Sequence, residues 1–244
     1  MRAQSDPIEV DHPSTWPIPL TARVHQLSMQ LSGSSRHAAD LDFHAENENS
    51  FRQLLGTRSL RAYHATRLLD HEVELIREQG LIPLDHVLIE RRVELASKRG
   101  FITEQERAQL HEGHVFREPP QGRRAGQVCM FVGEQLFDDT AGLGSLLGIW
   151  GGEGVYMASG TQSLVPRLRQ LGRPTIVVAN IQVAEWESSP IHPDLWKVFV
   201  GHHLRLSGIG ADLFLRYAVP PEWIADIWQP GHPGYDRWSL LPRS

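Results

Sequence analysis

At residue 128 the sequence changes its pattern. Upstream, apolar residues recur at helical spacing between charged ones, as in helices with one buried face. Downstream they come in short unbroken blocks rich in β-branched residues, the pattern of buried strands. Helices early and strands late point to an α+β fold rather than a doubly wound parallel sheet. In DHEVELIREQG (70–80) Asp70 can cap, and Glu72 and Glu74 sit at the positive end of the helix dipole. Gly80 suits the position after the last turn, and Val73 and Ile76 share an apolar face. A second helix is expected over 86–99. In TEQERAQLHEG (103–113) Thr103 and Glu106 have the spacing of a capping box. One early segment, LRAYHAT (60–66), reads as a strand. Later strands are expected at 128–133, 155–159, 175–183 and 213–219. A glycine-rich loop (142–154) leads into 155–159, and PPEWIADIW (220–228) reads as a short closing helix begun by proline.

Residues 1–45, with Pro7, Pro13, Pro17 and Pro19 and then SGSSRH, read as an irregular N-terminal arm; Trp16 and the apolar pair Ile18 and Leu20 suggest that part of it packs down. Residues 46–244 read as one domain with a helical insertion at 86–127. A chain of 244 residues can bury a core without staples. The lone Cys129 excludes an internal disulfide and a multi-cysteine zinc site, and reads as a small buried hydrophobe. A net charge of −5 argues against bulk electrostatic binding to nucleic acid. No apolar run is long enough to span a bilayer, and the first residues carry no charged-then-apolar signal, so a cytoplasmic product without membrane contact is expected.

Candidate chemistry is concentrated at three places. His64 lies inside the apolar early strand, followed by Ala65 and Thr66. Alone it reads as a partly buried histidine with one satisfied hydrogen bond. GGEGVYMAS (151–159) has glycines that allow a tight bend or a close approach of backbone to a ligand. Alone it reads as a hairpin connection. Asp212 opens the last strand and Glu222 lies past its far end; each can instead serve a turn or a first helical turn.

Taken in order, these segments resemble the ADP-ribosyltransferase superfamily. His64-Ala65-Thr66 is similar to its opening His-Gly-Thr strand, and Ile76 with Gly80-Leu81 to the helix that follows. Gly152-Glu153-Gly154-Val155-Tyr156-Met157-Ala158 is similar to the tyrosine motif of its poly(ADP-ribose) polymerase-like branch, with Ser163 following. The resemblance covers roughly residues 58–228 and implies a split β-sheet core. It also implies NAD+ as substrate and no metal. His64 holds one ribose, the backbone of Ala65 orients the nicotinamide amide, and Thr66 supports the site. Tyr156 stacks on the nicotinamide, with Gly154 and Ser163 beside it, while Arg61 and Arg67 are candidates for the pyrophosphate. Asp212 stands where the family has glutamate; Glu222 or Glu185 can serve instead. An absent glutamate implies mono-ADP-ribosyl transfer to a macromolecular acceptor, protein or nucleic acid. A small chain of this kind resembles an intracellular toxin or phage-defence effector, which can be held by an antitoxin or chaperone.

Other readings stay open on the same residues. Arg61, His64 and Arg67 partly supply the basic set of an RNA 2′-phosphotransferase. An NAD+ glycohydrolase and a non-catalytic ADP-ribose-binding module fit the same fold, the latter favoured by Ala65 and Asp212. His111, Glu112, His114 and the pair His202-His203 suggest metal ligands, but not at the spacing that sets two imidazoles on one helical face. The basic pairs Arg91-Arg92, Lys98-Arg99 and Arg123-Arg124 leave a nucleic-acid acceptor open or form a solvated helix face. Trp186, Trp196, Trp223 and Trp228 are assigned to packing.

Overall fold

Leu60, Ala62, Tyr63, Ala65, Thr66 and Leu68 bury most of Ser59–Leu68, which forms a strand, β1. The computed structural model that contains it describes residues 6–31, 45–56, 58–117, 125–138, 140–183, 195–206 and 211–243. In chain order the helices are α1 (Ile18–Leu31), α2 (Ala45–Leu55), α3 (Asp70–Gln79), α4 (His86–Lys98), α5 (Glu104–Gly113), α6 (Thr140–Gly148), α7 (Glu153–Tyr156), α8 (Val165–Leu168), α9 (Leu195–Leu204) and α10 (Pro233–Asp236). The remaining strands are β2 (Val128–Val132), β3 (Arg173–Gln182), β4 (Ala211–Leu215) and β5 (Ile224–Trp228). The fold is α+β, with a five-stranded sheet in the order β4-β2-β1-β3-β5. β1 runs antiparallel to β2, with Tyr63 opposite Phe131.

The chain divides into two compact units. The first comprises Met1–Tyr63, Met130–Leu136 and Ala179–Phe214. Here α1 and α2 pack on α9. Phe199 takes the edge of Trp16 at 5.1 Å and lies 6.0 Å from Phe51, so aromatic burial holds the three helices together. Ile8 bridges to β1, donating to the Ser59 carbonyl and accepting from the Arg61 amide, each at 2.9 Å. The second unit comprises His64–Cys129, Phe137–Val178 and Leu215–Ser244. Its core gathers Ile89, Val93 and Ala96 of α4 around Leu110, Trp150 and Val155. The chain leaves α3 through Gly80, whose φ is +76°. A Cβ there would lie 1.9 Å from the Val219 carbonyl oxygen, so only glycine fits. Leu81 and Val219 then exchange two 2.9 Å main-chain bonds.

Several sequence expectations are corrected. The arm is not irregular throughout: 18–31 is a helix, because Pro17 and Pro19 fall before and within its first turn, where a missing N–H costs nothing. Regular structure thus precedes the early strand, in α1 and then α2; residues 32–44 lie outside the described residues. Leu69, not Asp70, caps α3, and the Glu72 carboxylate reaches back to the Leu69 amide at 2.8 Å. The stretch 155–159 is not a strand but the end of α7 and a tight turn, since Gly151 and Gly152 reverse the chain and start a helix. Part of the glycine-rich loop, 140–148, is α6. The segment 224–228 is not a helix: Pro220 and Pro221 set a single 3-10 turn, and Ile224–Trp228 then adds the edge strand β5 beside β3.

Candidate functional site

β1 presents Tyr63 and His64 to opposite faces, as successive strand residues must be. His64 is partly buried, and its Nδ1 lies 2.7 Å from the Cys129 carbonyl oxygen of β2. A carbonyl only accepts, so Nδ1 carries the proton and Nε2 is left as a lone-pair acceptor. Burial pushes the ring's pKa below the ordinary histidine value; the bond to Cys129 opposes this, and the positive charge of Arg92 adds to it. The ring is therefore neutral at pH 7, as an acceptor of a hydroxyl proton must be. Cys129 itself is half-exposed rather than buried.

The residues after His64 are engaged with the protein. Ala65 and Thr66 are buried. Arg67 is 3 % exposed, and its guanidinium donates to the carbonyls of Leu171 at 2.6 Å, Leu147 at 3.2 Å and Gly172 at 3.0 Å. Those bonds tie the end of α6 and the turn before β3 to β1, and they correct the assignment of Arg67 to a pyrophosphate. In the first unit Arg61 donates to Asn180 Oδ1 at 2.9 Å and pairs with Glu9 at 3.3 Å.

The glycine motif is built for packing as well as turning. Gly151 has φ +98° and lies against Val155, and a Cβ on Gly154 would sit 2.6 Å from Ile89 Cδ1 of α4. The close approach of Gly154 is thus to a neighbouring helix. Tyr156 is partly buried against the core of the second unit and accepts from Gln162 through its main-chain oxygen at 2.8 Å. Ser163 is exposed, and Gln109 Nε2 donates to its hydroxyl. Glu222 is exposed on the 3-10 turn before β5. His64, Tyr156, Gly154, Ser163 and Glu222 belong to the second unit, and Asp212 to the first, where it is exposed on β4. Glu185, Trp186 and Arg123-Arg124 lie outside the described residues.

A charged cluster in the second unit was not legible as a site. Glu72 of α3 is 5 % exposed. One of its oxygens takes Arg92 Nε at 2.6 Å; the other takes the Leu69 amide and Trp150 Nε1 at 2.9 Å. Arg92 Cζ stands 5.4 Å from the Trp150 ring centroid. Arg92 had a readable signal: it sits one residue from Val93 and three from Ile89, on the inward face of α4, whereas Arg91 faces solvent. A narrow crevice lined by Ile89, Arg92, Val93, Trp150, Gly151 and Val155 runs beside it, too tight to admit a water molecule.

The histidines considered for metal have other partners. His111 Nε2 meets Glu94 at 3.0 Å, and His202 lies 3.8 Å from Asp11. His114 is fully buried and takes the Phe116 amide on Nδ1. Among the described residues no three His, Cys, Asp or Glu side chains converge as metal ligands, and no helix is long and apolar enough to cross a membrane. In comparisons with protein-family models, characterised proteins and solved structures, the chain matches none.

Proposed function

We propose that the chain is a mono-ADP-ribosyltransferase that moves ADP-ribose from NAD+ to a macromolecular acceptor. The observation that carries this reading is His64: a neutral imidazole fixed in one tautomer by Cys129, with an unpaired Nε2 on a strand whose His-Ala-Thr resembles the opening motif of that superfamily. His64 Nε2 accepts from a ribose hydroxyl of NAD+. Tyr156 stacks on the nicotinamide ring. The bond between ribose C1′ and the nicotinamide nitrogen breaks with its electron pair going to nicotinamide. Positive charge grows on the ribose, and a carboxylate, for which Glu222 of the same unit is the candidate, stabilises it most in the transition state. The acceptor's nucleophile then bonds to C1′ and releases its proton.

The RNA 2′-phosphotransferase reading is weaker. Two of its three basic residues, Arg61 and Arg67, already bond protein groups, and Arg67 is buried. On the transferase reading the chain acts in the cytoplasm, as a toxin or phage-defence effector controlled by an antitoxin or chaperone.

The test uses NAD+ labelled on its adenylate, incubated with the protein and cell lysate, then separated into protein, RNA and DNA. Label in one fraction with wild type, absent with His64→Ala and Tyr156→Ala of unchanged fold, supports transfer and names the acceptor class. Nicotinamide release without label makes the chain a glycohydrolase. The absence of both label and nicotinamide release overturns the reading.

A further inference from the structure

We infer that Arg92 is an anion-binding residue of the second unit, holding the diphosphate of a dinucleotide in the same unit as His64. The identity of that anion rests on the NAD+ reading above; the anion site itself rests on the geometry of the arginine.

Buried arginines normally fill their forks, and Arg67 in the same unit does so with three carbonyls. Arg167 bonds the Phe101 carbonyl and Glu106, and Arg107 bonds Glu94 and Glu104. Arg92 differs. Its side chain is 18 % exposed, yet only Nε has a partner, Glu72 Oε1. Glu72 cannot close the fork, because its other oxygen is occupied by the Leu69 amide and the Trp150 indole. Nη2 is buried without a hydrogen bond. The guanidinium is thus fixed at one edge by a carboxylate and on one face by Trp150, with its outer edge unused.

Such an edge suits a phosphate, which accepts two parallel N–H bonds. His64, in the same unit, has a free Nε2 that accepts from a hydroxyl. A cation that takes phosphate oxygen and an imidazole that takes a sugar hydroxyl together select a phosphorylated sugar, the shared chemistry of ADP-ribose and NAD+. The crevice at Nη2 is closed in this structure, so binding parts the Gly151 turn from α4. The left-handed φ values of Gly151 and Gly152 mark where the chain turns there.

Calorimetric titration of the full chain with ADP-ribose and, separately, inorganic pyrophosphate tests this, using wild type, Arg92→Gln, Arg92→Lys and the surface control Arg91→Gln. Arg92→Gln is expected to weaken both ligands at least about tenfold, the equivalent of one charge-assisted bond. Arg92→Lys keeps the charge and the ion pair with Glu72, so it carries the test if Arg92→Gln fails to fold; it loses the fork and binds more weakly than wild type. Arg91→Gln binds as wild type does. With NAD+ turnover, Arg92→Lys raises KM and leaves kcat near wild type. Arg92→Lys equal to wild type for both ligands, or a wild type that binds neither, overturns the inference. Arg92-dependent pyrophosphate binding without nicotinamide release from NAD+ supports the anion site and overturns the transferase. Nicotinamide release with ligand binding indifferent to Arg92 does the reverse.

Discussion

Two carboxylates, one in each unit, are held in opposite ways. Glu72 in the second unit has both oxygens occupied by an arginine, an indole and a main-chain amide. Asp11 in the first unit accepts the Glu134 amide at 2.6 Å on one oxygen, while the other is buried without a hydrogen bond. The His202 ring nitrogen lies 3.8 Å from that second oxygen. Burial pushes the Asp11 carboxyl above the usual aspartate range; the bond from the Glu134 amide opposes that, and the Glu134 charge adds to it. Glu134 in turn accepts from the Tyr63 hydroxyl at 3.0 Å. A buried charge is tolerated in proportion to the donors aimed at it, and only Glu72 has a full set.

The largest expected effect follows from that difference. Glu72→Ala strands Arg92 and frees two further donors, so urea unfolding at pH 7 is expected to show a loss of about 3–5 kcal/mol. Asp11→Asn keeps an acceptor for the Glu134 amide and removes a poorly solvated charge, so it is expected to stay within about 1 kcal/mol of wild type. Equal losses for the two variants would break the comparison.

pH acts on both units: in the first, burial pushes His202 below the ordinary histidine value and Asp11 above the ordinary aspartate value. In the second unit, burial pushes His64, His71 and His114 below the ordinary histidine value. His71 has neither ring nitrogen bonded and lies against Phe101. A depressed folded-state pKa means the unfolded chain takes protons first. The stability these rings contribute is complete above the unfolded value of 6.5 and is lost as pH falls below it. Asp11 has the opposite sign: raised from 3.8, it favours the fold most below that value and loses this contribution as pH rises through its folded pKa. The melting temperature is therefore expected to drop between about pH 7 and pH 5, the window of histidine titration. His71→Phe is expected to shallow the drop. A wild-type melting curve flat across that window would remove the histidines from the account.

What could be read in the sequence followed its local physics. The capping box of Thr103 and Glu106, the strand around His64 and the long apolar run of β3 depend on neighbours in sequence, and the structure has them. Residues 155–159 and 224–228 were misread because both are short. Val155-Tyr156-Met157 fits a strand or a helix equally until Gly151 and Gly154 meet Val155 and Ile89. Ile224–Trp228 becomes a strand only because β3 offers it an edge. The role of Arg67 was hidden for a similar reason. Its partners lie about 80 and 105 residues away in sequence, and no local pattern marks a side chain aimed at distant carbonyls.

The smallest effect isolates the environment from the bond. Both α3 and α5 use a glutamate in the third helical position to reach back to the amide before the helix, at 2.8 Å for Glu72 and 2.7 Å for Glu106. The bonds match in length, but Leu69 is buried and Thr103 is exposed. At Thr103 water can replace whatever partner is removed, so the return bond from the Glu106 amide to the Thr103 hydroxyl adds only a cap. Glu106→Ala, which removes the reach-back bond and leaves the Thr103 hydroxyl cap, is expected to cost about 1 kcal/mol in urea unfolding, a small fraction of the Glu72→Ala loss. If the two losses were comparable, the reach-back bond itself would set the stability of α3, and the arginine and indole on Glu72 would be incidental to it.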